Sequence, residues 1–225
     1  VGLVDTGLMG NLGETKYLAA ISIATSVLTM IIWSFGFLRM GTVGIVAQLF
    51  SKSDYREITK TLLRNCLLAI ASSAIIILLY PIIIEIIKIF FSTSGETQLL
   101  ITEYLSIRIF SVPAELIIYV FTGFYLGIQK TKISSLMIIT FSLLNIVFSS
   151  LFVLSYNLNV FGVALGTLLS SYITSLIFCL YTYNFIVNNF QIIPKFNGII
   201  VRSKLQKLLT INLNIFIRTF FLTFS

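Results

Sequence analysis

The chain has 225 residues, 57% of them hydrophobic and 10% charged, with a formal charge of +7 and a mean hydropathy of +1.02. A water-soluble domain carries about a quarter charged residues, so this chain lacks the polar surface needed to face water, and a soluble fold is excluded. Histidine is absent, which removes His-based metal sites and His-based acid–base catalysis, and the basic residues lie in short segments between apolar runs rather than in the surface patch of a nucleic-acid binder.

At roughly 20 residues per crossing, a chain of 225 residues holds about six membrane helices. The predicted fold class is an all-α membrane protein, a multi-helix transmembrane bundle. In chain order, a first helix covers Val1 to Leu12 and ends at a turn of Asn11, Gly13 and Glu14. A second runs from Tyr17 to Phe50, its later part loosened by Gly36, Gly41 and Gly44. Ser51 to Lys60 is polar and reads as a connecting loop or surface helix. A third helix spans Thr61 to Phe91, with a kink expected at Pro81 because proline withdraws a backbone donor. After a loop at Ser92–Gln98, a fourth helix covers Tyr104 to Ile128 and contains Pro113. A basic turn at Gln129–Lys132 leads to the fifth helix, Ile133 to Ser155, and the sixth runs from Phe161 to Val187. Beyond Phe190, Pro194, Lys195, Arg202, Lys204 and Lys207 mark a polar linker before another helix near Asn214.

The chain opens at Val1 and closes on NIFIRTFFLTFS, both inside apolar runs, so it is expected to be part of a longer protein. No signal peptide is read at the opening. Cys66 and Cys179 lie far apart in apolar stretches without metal or redox spacing, so both read as buried free thiols. Lys52, Arg56, Lys60 and Arg64 follow the second helix, Lys130 and Lys132 the fourth, and Lys195, Arg202, Lys204 and Lys207 the sixth. Positively charged loops face the cytoplasm, so the even-numbered helices are expected to end there.

A charged side chain at the bilayer centre costs at least about 2.5 kcal/mol, so each one needs a reason. Asp5, Arg39 and Glu115 lie well inside apolar runs. Burial disfavours an ionised carboxylate, which suits Asp5 to taking up and releasing a proton; the alternative is a hydrogen bond to a neighbouring helix. Arg39, Gln48, Glu115 and Ser149 are candidate substrate-cavity or structural residues. Asn145 and Ser149 are four apart, hence on one helix face, and with Thr167 on the next helix they predict a small polar spot. Gly162 and Gly166 have the G-x-x-x-G spacing that permits close helix approach.

The stretches GLVDTGLMGNLGETKYLAA, FLRMGTVGIVAQLF, YLSIRIFSVPA, GFYLGIQKTK, LLNIVF and NVFGVALGT, taken in this order, resemble the multidrug and toxic compound extrusion family, in particular its DNA-damage-inducible protein F branch. The resemblance implies a two-lobed secondary transporter and no enzyme activity. The chain would supply residues 1–190 as the amino-terminal six-helix lobe, its first helix truncated, and 191–225 as a cytoplasmic interlobe linker with the start of helix seven. It further implies export of organic cations or other amphipathic compounds in exchange for protons or sodium, from a bacterial cytoplasmic membrane. No cofactor is expected, the proton (or sodium) serving as coupling ion, and the partners would be substrate, lipid and the missing carboxy-terminal lobe, not nucleic acid. Asp5, Asn145 and Thr167 fall at the family's cation site in this lobe. Close relatives carry a second aspartate where this chain has Ser149; the lost charge weakens the case for sodium and favours protons. Two rival readings remain: a lipid-linked oligosaccharide flippase of the same superfamily, which would want more basic cavity residues than Arg39 and Arg108, and an inactive transporter fragment. A membrane-embedded transferase would need clustered polar catalytic residues that the sequence lacks.

Overall fold

The computed structural model describes residues 6–7, 15–91, 95–194, 206, 208, 210, 212–217 and 221. Most of the first predicted helix, Asp5 included, and most of the predicted linker lie outside the described residues. The regular structure is helical: α1 Thr15–Ser34, α2 Phe37–Ser51, α3 Tyr55–Leu78, α4 Tyr80–Phe90, α5 Gly95–Arg108, α6 Val112–Gly127, α7 Thr131–Ser150 and α8 Asn159–Phe185. A 3-10 turn, Ile109–Ser111, precedes α6, and π-helical turns at Leu151–Ser155 and Ile186–Phe190 close α7 and α8. In hydrocarbon no water is available to the backbone, so each peptide group must bond within its own helix. Among the described residues, five segments are long and apolar enough to cross a membrane: Lys16–Ser51, Tyr55–Leu78, Gly95–Gly127, Thr131–Ser155 and Asn159–Phe190.

Helix ends follow local chemistry. Ser53, Gln129, Asn157 and Gln191 adopt positive φ of 54–62° just past helix ends, the left-handed conformation that turns the chain out of a helix. The third crossing begins at Tyr55 rather than near residue 61 because its polar first turns are satisfied: Asp54 Oδ1 accepts from the Glu57 amide at 3.1 Å. Arg64 Nη1 also meets Glu57 Oε1 at 2.8 Å, two turns on along the same face. The expected kink is a full break at Leu79, with Pro81 in the first turn of α4. The fourth crossing starts at Gly95, earlier than the sequence suggests, and is interrupted ahead of Pro113 by the 3-10 turn. There the Tyr172 hydroxyl donates to the Phe110 carbonyl at 3.0 Å.

The chain packs as two compact units, one of residues Val1–Ile31, Ser73–Ala114 and Ile139–Ile173, the other of Ile32–Ser72, Glu115–Ile138 and Thr174–Ser225. In the first, Ala20, Ile21 and Leu105 are fully buried, and the Thr25 hydroxyl donates to Tyr104 Oη at 3.3 Å, joining α1 to α5. In the second, α2 and α6 meet along a glycine seam. A Cβ at Gly123 would stand 2.6 Å from the Arg39 carbonyl oxygen, and one at Gly127 would stand 2.7 Å from Val46 Cβ. Asn65 Nδ2 donates to Thr42 Oγ1 at 2.8 Å, tying α3 to α2. The Tyr125 and Thr182 hydroxyls share a hydrogen bond of 2.9 Å, and Tyr55 stacks on Phe190 with centroids 4.6 Å apart. Phe37 meets Phe216 edge-on at 5.8 Å, while the Asn212 carboxamide fills the notch left at Gly41.

Many large apolar side chains face outward, among them Trp33, Leu78 and Phe90, which are 69%, 78% and 78% exposed. Water would penalise such a surface; lipid does not. The cysteines correct one expectation: Cys179 is exposed and Cys66 only partly covered. A thiol behaves as a small hydrophobe, so an outward position among these apolar side chains leaves it unpenalised.

Candidate functional site

The predicted polar spot is assembled. Asn145 and Ser149 stand one turn apart on α7, and Thr167 faces them from α8, all three with no exposed surface. Asn145 Nδ2 donates to Thr167 Oγ1 at 2.9 Å and to Ser149 Oγ at 3.4 Å. The Thr167 hydroxyl in turn donates to the Val163 carbonyl at 3.1 Å on its own helix. The helices approach this closely because Gly166 has no side chain: a Cβ there would lie 2.6 Å from the Ser149 amide nitrogen and 2.7 Å from its Cα. Gly162 does the same beside the π-helical turn, where a Cβ would meet Phe152 Cβ at 3.1 Å. The G-x-x-x-G spacing is therefore the seam that presses the three polar side chains together.

Both amide hydrogens of Asn145 are thus engaged, and its Oδ1 is left buried with no hydrogen-bond partner among the described residues. An unsatisfied buried acceptor costs about 1–3 kcal/mol, so this oxygen favours a donor or a cation. The two groups bonded to its amide, the Thr167 and Ser149 hydroxyls, are neutral oxygens. Asp5, placed at the centre of the predicted site, lies outside the described residues.

The other candidates belong to the second unit. Arg39, half-buried on α2, holds its guanidinium over the Tyr119 ring, 5.7 Å from the centroid. Glu115 is 9% exposed in the first turn of α6. Gln48 is exposed near the end of α2. Sequence reasoning weighted charge and so passed over Tyr119, Thr42 and Asn65. The available signal was spacing: Tyr119 follows Glu115 by one helical turn, and Asn65 is a carboxamide inside an apolar run. Among the described residues, no three His, Cys, Asp or Glu side chains gather as a metal site would require.

Comparison with known proteins completes the picture. The family model MatE matches residues 1–151. DNA damage-inducible protein F of Escherichia coli K12 is 32% identical over 177 residues, covering 79% of this chain and 39% of that protein. Multidrug export protein MepA of Staphylococcus saprophyticus is 24% identical over 180 residues, covering 80% and 40%. Among solved structures, a MATE transporter in the bent conformation superposes with a TM-score of 0.84 at 22% identity, covering 94% of this chain and 47% of that one. A MOP superfamily transporter from Pyrococcus furiosus Vc1 gives 0.83 at 22%, covering 94% and 46%. At that identity the likeness concerns the fold: one helical lobe of a two-lobed membrane transporter. The chain spans about two fifths of the length of the curated relatives it matches. With two thirds of its length under the family model, the chain belongs to the MatE family of multidrug and toxic compound extrusion transporters, and it is similar to the DNA damage-inducible protein F branch.

Proposed function

We propose that this chain is the amino-terminal lobe of a secondary active multidrug efflux antiporter of a bacterial cytoplasmic membrane. It exports organic cations or other amphipathic compounds in exchange for protons. Residues 1–190 form the lobe, and 191–225 form the link and the start of the seventh helix. The observation that carries the reading is the buried cluster of Asn145, Ser149 and Thr167 with its unpartnered Asn145 Oδ1, at the positions where the family resemblance puts a cation site with Asp5. Sodium wants several oxygens and net negative charge around it. Here the described oxygens are neutral and Ser149 stands where relatives carry an aspartate, so Asp5 is the one carboxylate assigned to the site. A single carboxylate suffices for a proton.

In this mechanism Asp5 takes a proton from the outer side, loosens its hold on a bound cation, and returns the proton inside after the lobes have rocked. Exchange requires only that substrate and proton each weaken the other's binding. The test is uptake of a fluorescent organic cation into everted vesicles carrying the full-length protein, wild type against Asp5→Asn, under a proton gradient and then a sodium gradient. Proton-driven uptake should fall by at least about tenfold in the variant, within the range of ordinary coupling energies. Normal proton-driven uptake by Asp5→Asn refutes the mechanism, and uptake driven by sodium alone refutes the ion. No uptake from well-expressed wild type refutes the drug-export reading in favour of the lipid-linked oligosaccharide flippase or an inactive fragment.

A further inference from the structure

The glycine seam of the second unit carries charge at one end. Glu115, Tyr119, Gly123 and Gly127 recur every four residues along α6 and so form one inclined row, each beside the next. The two helices advance in step along it, Gly123 against Arg39 and Thr42, Gly127 against Val43 and Val46. One turn before Gly123, the Tyr119 ring meets the Arg39 side chain, and one turn before that stands the Glu115 carboxyl, 9% exposed.

Two features set this arrangement apart from a packing contact. Arg39 makes no ion pair among the described residues; its charge rests on the face of an aromatic ring inside an apolar span. That ring lies one turn from an acidic side chain, and a π face beside a carboxylate is the combination that holds a cation with an apolar body. Arg39 therefore occupies the position, relative to the ring, that such a cation would take.

We propose that the Glu115–Tyr119 face is a second cation-recognition site, for monovalent organic cations of aromatic or apolar body, and that Arg39 fills it as a tethered competitor which the ligand displaces. The proposal rests on the transporter reading above for its ligand class. It inverts the usual expectation for an arginine in a membrane span, since deleting the charge should strengthen binding rather than weaken it.

The experiment is equilibrium binding of radiolabelled tetraphenylphosphonium to the purified full-length protein, with the thermal melt of each variant recorded. Arg39→Gln should bind roughly three- to tenfold tighter than wild type, the scale of one cation–π contact. Tyr119→Leu and Glu115→Gln should bind more weakly, and Tyr119→Phe, which keeps the ring, should hold its affinity. The gain from Arg39→Gln should vanish when Tyr119→Leu is added, because the two residues act on one site. Unchanged or weaker binding by a well-folded Arg39→Gln, or a gain that survives the loss of the ring, overturns the proposal. If Arg39→Gln does not fold, wild-type affinity in Tyr119→Leu overturns it equally. Dye uptake that depends on Asp5 alongside a flat Arg39–Tyr119 series rejects this site and leaves the transporter standing, whereas wild type that neither binds nor transports rejects both.

Discussion

Thr167 and Thr122 show how differently two buried threonines can matter. The Thr122 hydroxyl donates to the Ile118 carbonyl at 2.7 Å on its own helix. That carbonyl already takes part in the helix, so removing the hydroxyl orphans nothing. Thr167 makes the same kind of backbone bond but also accepts from Asn145 at 2.9 Å. Thr167→Val keeps the shape and strands a buried amide N–H, which should cost about 1–3 kcal/mol; Thr122→Val should lie near zero. Thermal melts of the two variants in detergent check this, and equal losses would show that the Asn145 contact contributes nothing. The spacing of Asn145 and Ser149 was legible in the sequence because four residues are one turn. The unpartnered state of Asn145 Oδ1 was not, because it depends on where each donor of a neighbouring helix points. For Asp5 the opposite holds: composition and resemblance single it out, while its surroundings lie outside the described residues.

Between elements, the glycines sort into those that set helix distance and those that do not. At Gly123 a Cβ would lie 2.6 Å from the Arg39 carbonyl and 2.9 Å from Thr42 Cβ, whereas at Gly44 nothing lies within 4 Å. Gly123→Ala must push α6 off α2 and is expected to destabilise by about 1–3 kcal/mol, the usual range for overpacking. Gly44→Ala replaces a poor helix former with the best one and should gain up to about 1 kcal/mol. Melting temperatures moving in opposite directions support the seam; a neutral Gly123→Ala removes it. From sequence alone these glycines look alike, since a repeat of small residues says that close approach is allowed, not which partner takes advantage of it. Helix starts failed for a related reason. Glu57 falls in the stretch that reads as a connecting loop or surface helix, outside the third crossing, yet seven residues before Arg64 on the same helix it pairs with that charge.

For the molecule as a whole, composition was enough to identify a membrane protein, and ordered short motifs were enough for the family; neither depends on atomic detail. Sidedness is an additional prediction. Lys130 and Lys132 flank the turn after α6, whereas the turn after α7, at Tyr156–Leu158, carries no basic residue. Basic loops stay inside. In a background lacking Cys66 and Cys179, Lys130→Cys should therefore react with a membrane-impermeant maleimide only after cells are opened, and Asn157→Cys should react in intact cells. The reverse pattern would invert the lobe and place the mouth of any exporter on the wrong side.

The π-helical turn at Leu151–Ser155 also bears on inheritance. A turn of this kind holds one residue more than an α turn. It sits directly after the helix that presents Asn145 and Ser149, and directly before the bend into α8. A lineage that gains or loses a codon here changes the length of the joint while the upstream side chains keep their facing. Such a change would also displace Phe152 from Gly162, so descendants that keep the grip between Asn145 and Thr167 are expected to keep the length of this joint.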